Sequence, residues 1–306
     1  GSMRKILVLL VMFVLVGCTS QSNVKFKIGV LQFGDYASLN DTLQGIETSF
    51  EDEDVELVVK NAQGESANIM LMATELVEME VDAIIAITTQ AAQAVAGVSE
   101  GKIPVFFVAV SDPGEAGLVM DGVTGVSDAA FLDDQFELIK TLTPGVKTLG
   151  VLHKTGDPNG VYQTQQIVEM ANKYNIEVLV QGAMEISDLS MLAISLSEKV
   201  DAMYLITDSL IVANTGLIVE AAKEVGVMSY ASEDGQMEYG VLATSSISYI
   251  DLGRQVSDQV KRVLFDGVDI NEVEVEYPEL VVPLINGEVA QYFEIEIPES
   301  FQSYVK

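Results

Sequence analysis

A series of short apolar runs returns in the same order about 120 residues after its first appearance, and this duplication limits the folds open to the chain. KIGVLQFGD is echoed by TLGVLHKTGD, VELVVKNAQGES by IEVLVQGAMEIS, and VDAIIAITTQAAQA by VDAMYLITDSLIVA. More loosely, IPVFFVAVSDPGEAG parallels GVMSYASEDGQMEYG, and TGVSDAAFLDDQ parallels TSSISYIDLGRQ. Generic βα units would supply one or two such echoes by chance. Five in register imply two domains of like topology.

The echoed runs are nearly all apolar rather than alternating, which marks strands buried on both faces. Between them LNDTLQGIETSF and ANIMLMATELVEM carry apolar residues at spacings of three and four, the signature of crossover helices. The predicted fold class is therefore α/β, with two Rossmann-like lobes, each an open parallel sheet covered by helices. Ligands of such sheets gather beyond the carboxyl ends of the strands, so a cleft between the lobes is the place to look.

The chain has 306 residues, 49% of them hydrophobic, enough for two packed cores. Sixteen Lys+Arg stand against 46 Asp+Glu, a formal net charge of -30, which repels phosphate backbones and anionic headgroups and argues against a nucleic acid partner. His153 is the only histidine and tryptophan is absent, so neither a histidine-built metal site nor a His-centred triad can be assembled. QFGDYASLNDTLQG lacks the GxGxxG fingerprint, and no Walker-type loop appears. No cofactor, metal or catalytic residue is expected.

Residues 1–17 read as a tag scar, Gly1-Ser2, followed by a signal: Arg4-Lys5, then an apolar segment from Ile6 to Val16. The segment is shorter than the roughly 20 apolar residues needed to span a bilayer. Leu15-Val16-Gly17-Cys18, which holds the sole cysteine, resembles the bacterial lipobox. That resemblance implies cleavage before Cys18, lipidation of its thiol and a tether over 18–24.

LQFGDYASLNDTLQG, IAITTQAAQAVAG, IPVFFVAVSDPGEAGLV, VTGVSD, VDAMYLITDSLIV and LVVPLINGEVAQYFEIEIPES, taken in order, resemble the extracytoplasmic solute-binding lipoproteins of ABC importers, in the subfamily with tryptophan- and tyrosine-binding members. The resemblance implies a type I periplasmic-binding-protein fold with a three-strand hinge, no catalytic activity, and an ABC permease as partner. It places lobe 1 at 25–127 plus 248–280 and lobe 2 at 128–247 plus 281–306. It implies a monomer held outside the cytoplasm by lipid on Cys18, with an aromatic amino acid as the solute.

An amino acid brings a carboxylate, an ammonium and a side chain. Thr88, Thr89 and Gln90 precede a helix whose free N–H groups suit the carboxylate, although Thr89 could equally serve as an N-cap. Asp208 and Ser209, their counterparts in the second half, suit the ammonium, with capping again the competing role. Ser111-Asp112 and Ser127-Asp128 offer further polar pairs, Asp112 also serving the turn before Pro113. Gln32 ends the first strand, and Tyr36 is assigned to stack on an aromatic solute while Phe33 packs under its own loop. Asn159 is placed to cap its helix and to face the cleft, and Glu233 follows a later strand. His153 is read as a spectator. Arg254 is the one arginine near the cleft elements and a poor clamp for a carboxylate. The alternatives are a sensor or surface adhesin of the same fold, or a binder of a sugar or nucleoside.

Overall fold

The computed structural model describes residues 25–129 and 132–306. The signal, the tether and Cys18 lie outside the described residues. The first sheet holds β1 (Phe26–Gln32), β2 (Val55–Asn61), β3 (Ala83–Ile87), β4 (Val105–Val110) and β5 (Val123–Ser127), all parallel, in the order β2-β1-β3-β4-β5. The central strands AIIAI and VFFVAV are buried at every position, because helices cover both faces. On one face α2 (Ser66–Glu78) lays Ile69, Ala73 and Leu76, one helical stripe, beside α3 (Thr89–Ser99) against Ile84, Ala86 and Phe107. On the other, α1 (Ala37–Phe50) presents Leu39, Ile46 and Phe50 to Ile28, Val30 and Ile85.

The second sheet repeats the plan. Strands β6 (Thr148–Lys154), β7 (Glu177–Ala183), β8 (Ala202–Leu205), β9 (Met228–Ala231) and β10 (Ala243–Ile247) stand in the order β7-β6-β8-β9-β10. One more strand, β11 (Val281–Ile285), pairs antiparallel on the β10 edge. The echo extends to register: Gly29 pairs with Val58 and Gly150 with Leu179. The sequence KIG matches TLG at the same place in each lobe. The fold class is that of two α/β lobes.

The chain passes between the sheets three times: between Ser127 and Leu132, at Ser248, and between Glu276 and Val281. After the first passage α4 (Leu132–Leu142) packs on β10, and after the second α9 (Tyr249–Leu264) packs along α1 and onto β3, β4 and β5. Each sheet is thus completed by a helix that follows a strand of the other. Before the third passage Glu276 bridges Val126, and its carboxylate accepts from Gln259 Nε2 at 2.7 Å and from Arg262. That crossing segment is therefore anchored to α9.

Candidate functional site

A cleft of about 970 Å³ opens between the lobes. The first lobe contributes the start of α1 at Ala37 and Ser38 and the turn Ser111-Asp112-Pro113 after β4. The second contributes Ser232 to Gly235 after β9 and one stripe of α5 (Pro158–Lys173), at Asn159, Tyr162, Gln166 and Lys173. Residues at the crossings, Asp128, Tyr249 and Tyr277, close the back. The site therefore lies at the carboxyl ends of the parallel strands of both sheets, where α/β folds leave polar groups free.

Asp128 stands at the first crossing. Ser111 Oγ donates to its Oδ1 at 3.0 Å, and the Tyr249 hydroxyl, at the second crossing, donates to its Oδ2 at 3.1 Å. Enclosure by protein raises the Asp128 pKa despite both donors, and it raises Glu233 too, with Asp234 adding repulsion. Asp112 goes the other way. The Glu115 backbone N–H and the Tyr162 hydroxyl hold its carboxyl below the usual range.

Carboxylates dominate the lining: Asp112, Asp128, Asp133, Glu169, Glu233 and Asp234 face the cleft against a single ammonium, Lys173, among the described residues. Tyr162, Tyr249 and Tyr277 add aromatic surface. Such a cavity attracts an ammonium and offers flat rings, and it repels a second negative charge on the solute.

Of the residues singled out in the sequence, Ser111, Asp112, Asp128, Asn159 and Glu233 line this cleft. The others stand elsewhere. Gln32 is buried and donates to Gly34 O at 2.7 Å and Asn40 Oδ1 at 2.6 Å, so it pins the loop after β1. Ser127 is buried and donates to Ser111 O at 3.2 Å, bracing the first crossing. Tyr36 is exposed and stacks on Phe33 with ring centroids 6.1 Å apart, outside the lining.

Asp208 turns inward. It is fully buried, and its carboxylate accepts from Lys154 N at 2.6 Å, Ile211 N at 2.8 Å and Leu210 N at 3.1 Å. It caps α7 (Ser209–Ala213) and ties it to β6, beneath the cleft wall rather than on it. Ser209 Oγ donates to Asp157 Oδ2 at 3.3 Å. Asp157, not Asn159, is the cap of α5, accepting from Asn159 N and Gly160 N. Arg254 is held by Asp251, Asp258 and Glu279.

Thr88, Thr89 and Gln90 flank the cleft without lining it. Thr88 adopts φ +87°, a conformation a β-branched residue rarely enters, and no side chain caps the helix that follows. In the next strand Ala109 adopts φ +59° at a bulge, where the register shifts between Val108 and Val110. Strain of about 1–3 kcal/mol per residue persists only where surrounding structure imposes it, and both residues sit at the cleft end of the sheet.

Sequence reasoning missed Tyr162, Gln163 and Gln166, because it inspected only the loops after strands. Their signal was a polar stripe at helical spacing along α5 from Asn159 to Lys173. Tyr249 was missed because it opens a helix that belongs to the other sheet.

A family model described as ABC transporter substrate binding protein matches residues 27–305. The tyrosine-binding protein of Clostridioides difficile strain R20291 is 32% identical over 268 residues, covering 84% of this chain and 77% of that protein. Among solved structures, the ligand-free, open form of a substrate binding protein with adhesive properties from Clostridium difficile superposes with a TM-score of 0.85 at 27% identity, covering 92% of this chain and 98% of the other. An ABC domain from Streptococcus pneumoniae in complex with L-Trp gives a TM-score of 0.70 at 30% identity, covering 92% and 99%.

Proposed function

The chain belongs to the ABC transporter substrate binding proteins, and from that premise we propose that it captures an aromatic amino acid, tyrosine or tryptophan foremost, in the interlobe cleft. Proteins of this family bind small solutes outside the cytoplasm for an ABC permease. The observation that carries the solute class is the lining itself, six carboxylates and three tyrosines around one lysine. The carboxylates suit the ammonium of an amino acid, and the rings suit a planar side chain. Relatives that bind tyrosine or L-Trp support the same reading.

In this reading Asp128 and Glu233 receive the ammonium, with Ser111, Asp112 and Asn159 at the walls. The uncapped start of α3 at Thr88, Thr89 and Gln90 is offered to the carboxylate, since both arginines among the described residues, Arg254 and Arg262, are held by carboxylates. A single amino acid does not fill about 970 Å³, which lies at the upper end of drug-sized sites. Binding therefore draws the lobes together, and contacts made from both lobes shift the population toward the closed state. The higher TM-score to an open, ligand-free relative than to an L-Trp complex supports an open arrangement here.

Thermal unfolding of the mature protein against a panel of solutes tests this. At a hundredfold excess over Kd a true ligand adds about 2.7 kcal/mol of stability. L-Tyrosine or L-tryptophan should give that rise, whereas L-glutamate and L-aspartate, repelled by the acidic lining, should give none. A response confined to sugars or nucleosides overturns the assignment.

Attachment through lipid on Cys18 and a monomeric state complete the proposal. The apolar segment before Gly17-Cys18 supports the first. Labelled fatty acid fed to expressing cells should appear on the protein and vanish in Cys18→Ala, which should leave solute binding intact. The adhesive relative favours surface attachment as a second role, read by binding of the soluble protein to host cells.

A further inference from the structure

Gln163 lines the cleft from α5, and its amide is fixed from outside that helix. Oε1 accepts both the backbone N–H and the hydroxyl of Thr207, each at 3.1 Å. A backbone N–H is accepted by the amide oxygen and not by the amide nitrogen, so these bonds settle which way the group is turned. Nε2 then keeps its N–H groups without a partner among the described residues. Thr207 follows β8 in VDAMYLIT as Thr88 follows β3 in VDAIIAIT. This donor therefore belongs to the strand end of the second lobe that answers to the start of α3 in the first.

Many of the side-chain donors around the cavity are already committed. Tyr162 donates to Asp112 at 2.9 Å, Gln166 to the Tyr162 oxygen at 2.8 Å, Tyr249 and Ser111 to Asp128, and Ser246 to Asp234 at 3.2 Å. Asn159, Tyr277 and Lys173 line the cleft too, but all three are exposed, and Lys173 lies about 15 Å further along α5 by helix rise. An amide nitrogen only donates, so it has nothing to offer the solute ammonium; the acceptor that tyrosine and tryptophan share is the carboxylate. We propose that Gln163 Nε2 is the second lobe's donor to the solute carboxylate and that Thr207 is the residue that aims it. The role deepens the amino-acid reading above and rests on it. An amide already held at its oxygen loses little freedom when solute arrives, and an ionised acceptor strengthens the bond. It also sets a neutral donor in a lining whose carboxylates repel the anionic end of the solute.

Calorimetry with L-tyrosine against tyramine, and L-tryptophan against tryptamine, isolates the carboxylate, because each pair shares its ring and its ammonium. The parent protein should prefer the amino acid in each pair. Gln163→Glu keeps an oxygen for Thr207 and replaces the donor by a negative charge. It should weaken the amino acids at least about tenfold, the size of a lost charge-assisted bond, while the amines bind as tightly as before or more tightly. Thr207→Val removes one of the two bonds that orient the amide and should weaken only the amino acids, by about two- to tenfold. A structural disturbance would weaken amino acid and amine alike, so equal losses in both variants, or unchanged amino-acid affinity in both, overturn the role of Gln163 and leave the solute reading standing. A parent that binds the amines as tightly as the amino acids also overturns it. A parent that binds neither tyrosine nor tryptophan overturns the solute reading, and this role with it.

Discussion

Replacing Gly45 with valine is expected to unfold the first lobe under conditions where the parent protein is native, while Gly97→Ala is expected to stabilise it. Helix propensity favours both changes, glycine costing about 1 kcal/mol relative to alanine in a helix interior. The surroundings separate them. A Cβ at Gly45 would lie 2.1 Å from the carbonyl oxygen of Ile250, and one at Gly253 would lie 2.1 Å from that of Thr42. These are backbone atoms of the facing helix, with no flexible end to swing aside. Helices α1 and α9 therefore meet main chain to main chain, and any side chain at the crossing must push them apart. Leu39 and Ile46 on one helix and Leu252 and Val256 on the other then lose their close packing.

Overpacking a core costs typically 1–3 kcal/mol and sometimes more. Gly45→Ala should accordingly lose about 2 kcal/mol net of its propensity gain, and Gly45→Val about 4 kcal/mol or more. Gly97 has no atom within 4 Å of its Cβ position, so Gly97→Ala should gain about 0.5–1 kcal/mol. Denaturant titrations with unchanged slopes would read all three. A stabilised Gly45→Ala would mean the helices do not touch there. The defect should also reach function, since Ser38 and Tyr249 stand in the first turns of α1 and α9 and line the cleft.

The duplication was legible because strand burial is written in composition. IPVFFVAV and AMYLI are apolar throughout, as a strand covered on both faces requires, and their recurrence in order announced two lobes of like topology. The passage of α9 back to the first sheet is not carried by its own residues. QVSDQVKRV is amphipathic and would suit either lobe. What selects α1 as its partner is the pair of glycines, and a lone glycine in a helical pattern does not announce which helix it faces. At the site the loops after strands were readable as a class, but not which members would reach the cavity. Ser111 and Asp128 do; Gln32 and Ser127, polar residues at the same kind of position, turn inward to brace loops. Buried polar groups must find partners, and in an isolated sequence a ligand and a backbone amide are equally good candidates.

Asp208 is the clearest instance, and its replacement separates the two roles. Asp208→Ala is expected to cost about 2–4 kcal/mol of stability, combining a lost helix cap of about 0.5–2 kcal/mol with the unsatisfied N–H of Lys154 at about 1–3 kcal/mol. Gly160 reports how closely this carboxylate is surrounded, because a Cβ there would meet Asp208 Oδ2 at 2.6 Å. The loss should show as a lower denaturation midpoint, while the folded fraction binds its amino acid with unchanged affinity. Asp128→Asn should do the reverse: it keeps the shape, removes the charge offered to the ammonium, and relieves the burial that raises this group. Its affinity should fall by about tenfold or more, as for a charge-assisted hydrogen bond worth about 1.5–3 kcal/mol, with little loss of stability. If Asp208→Ala abolished binding in protein that remained folded, and Asp128→Asn bound normally, the ammonium would belong with Asp208 and the cleft wall would have to open to reach it.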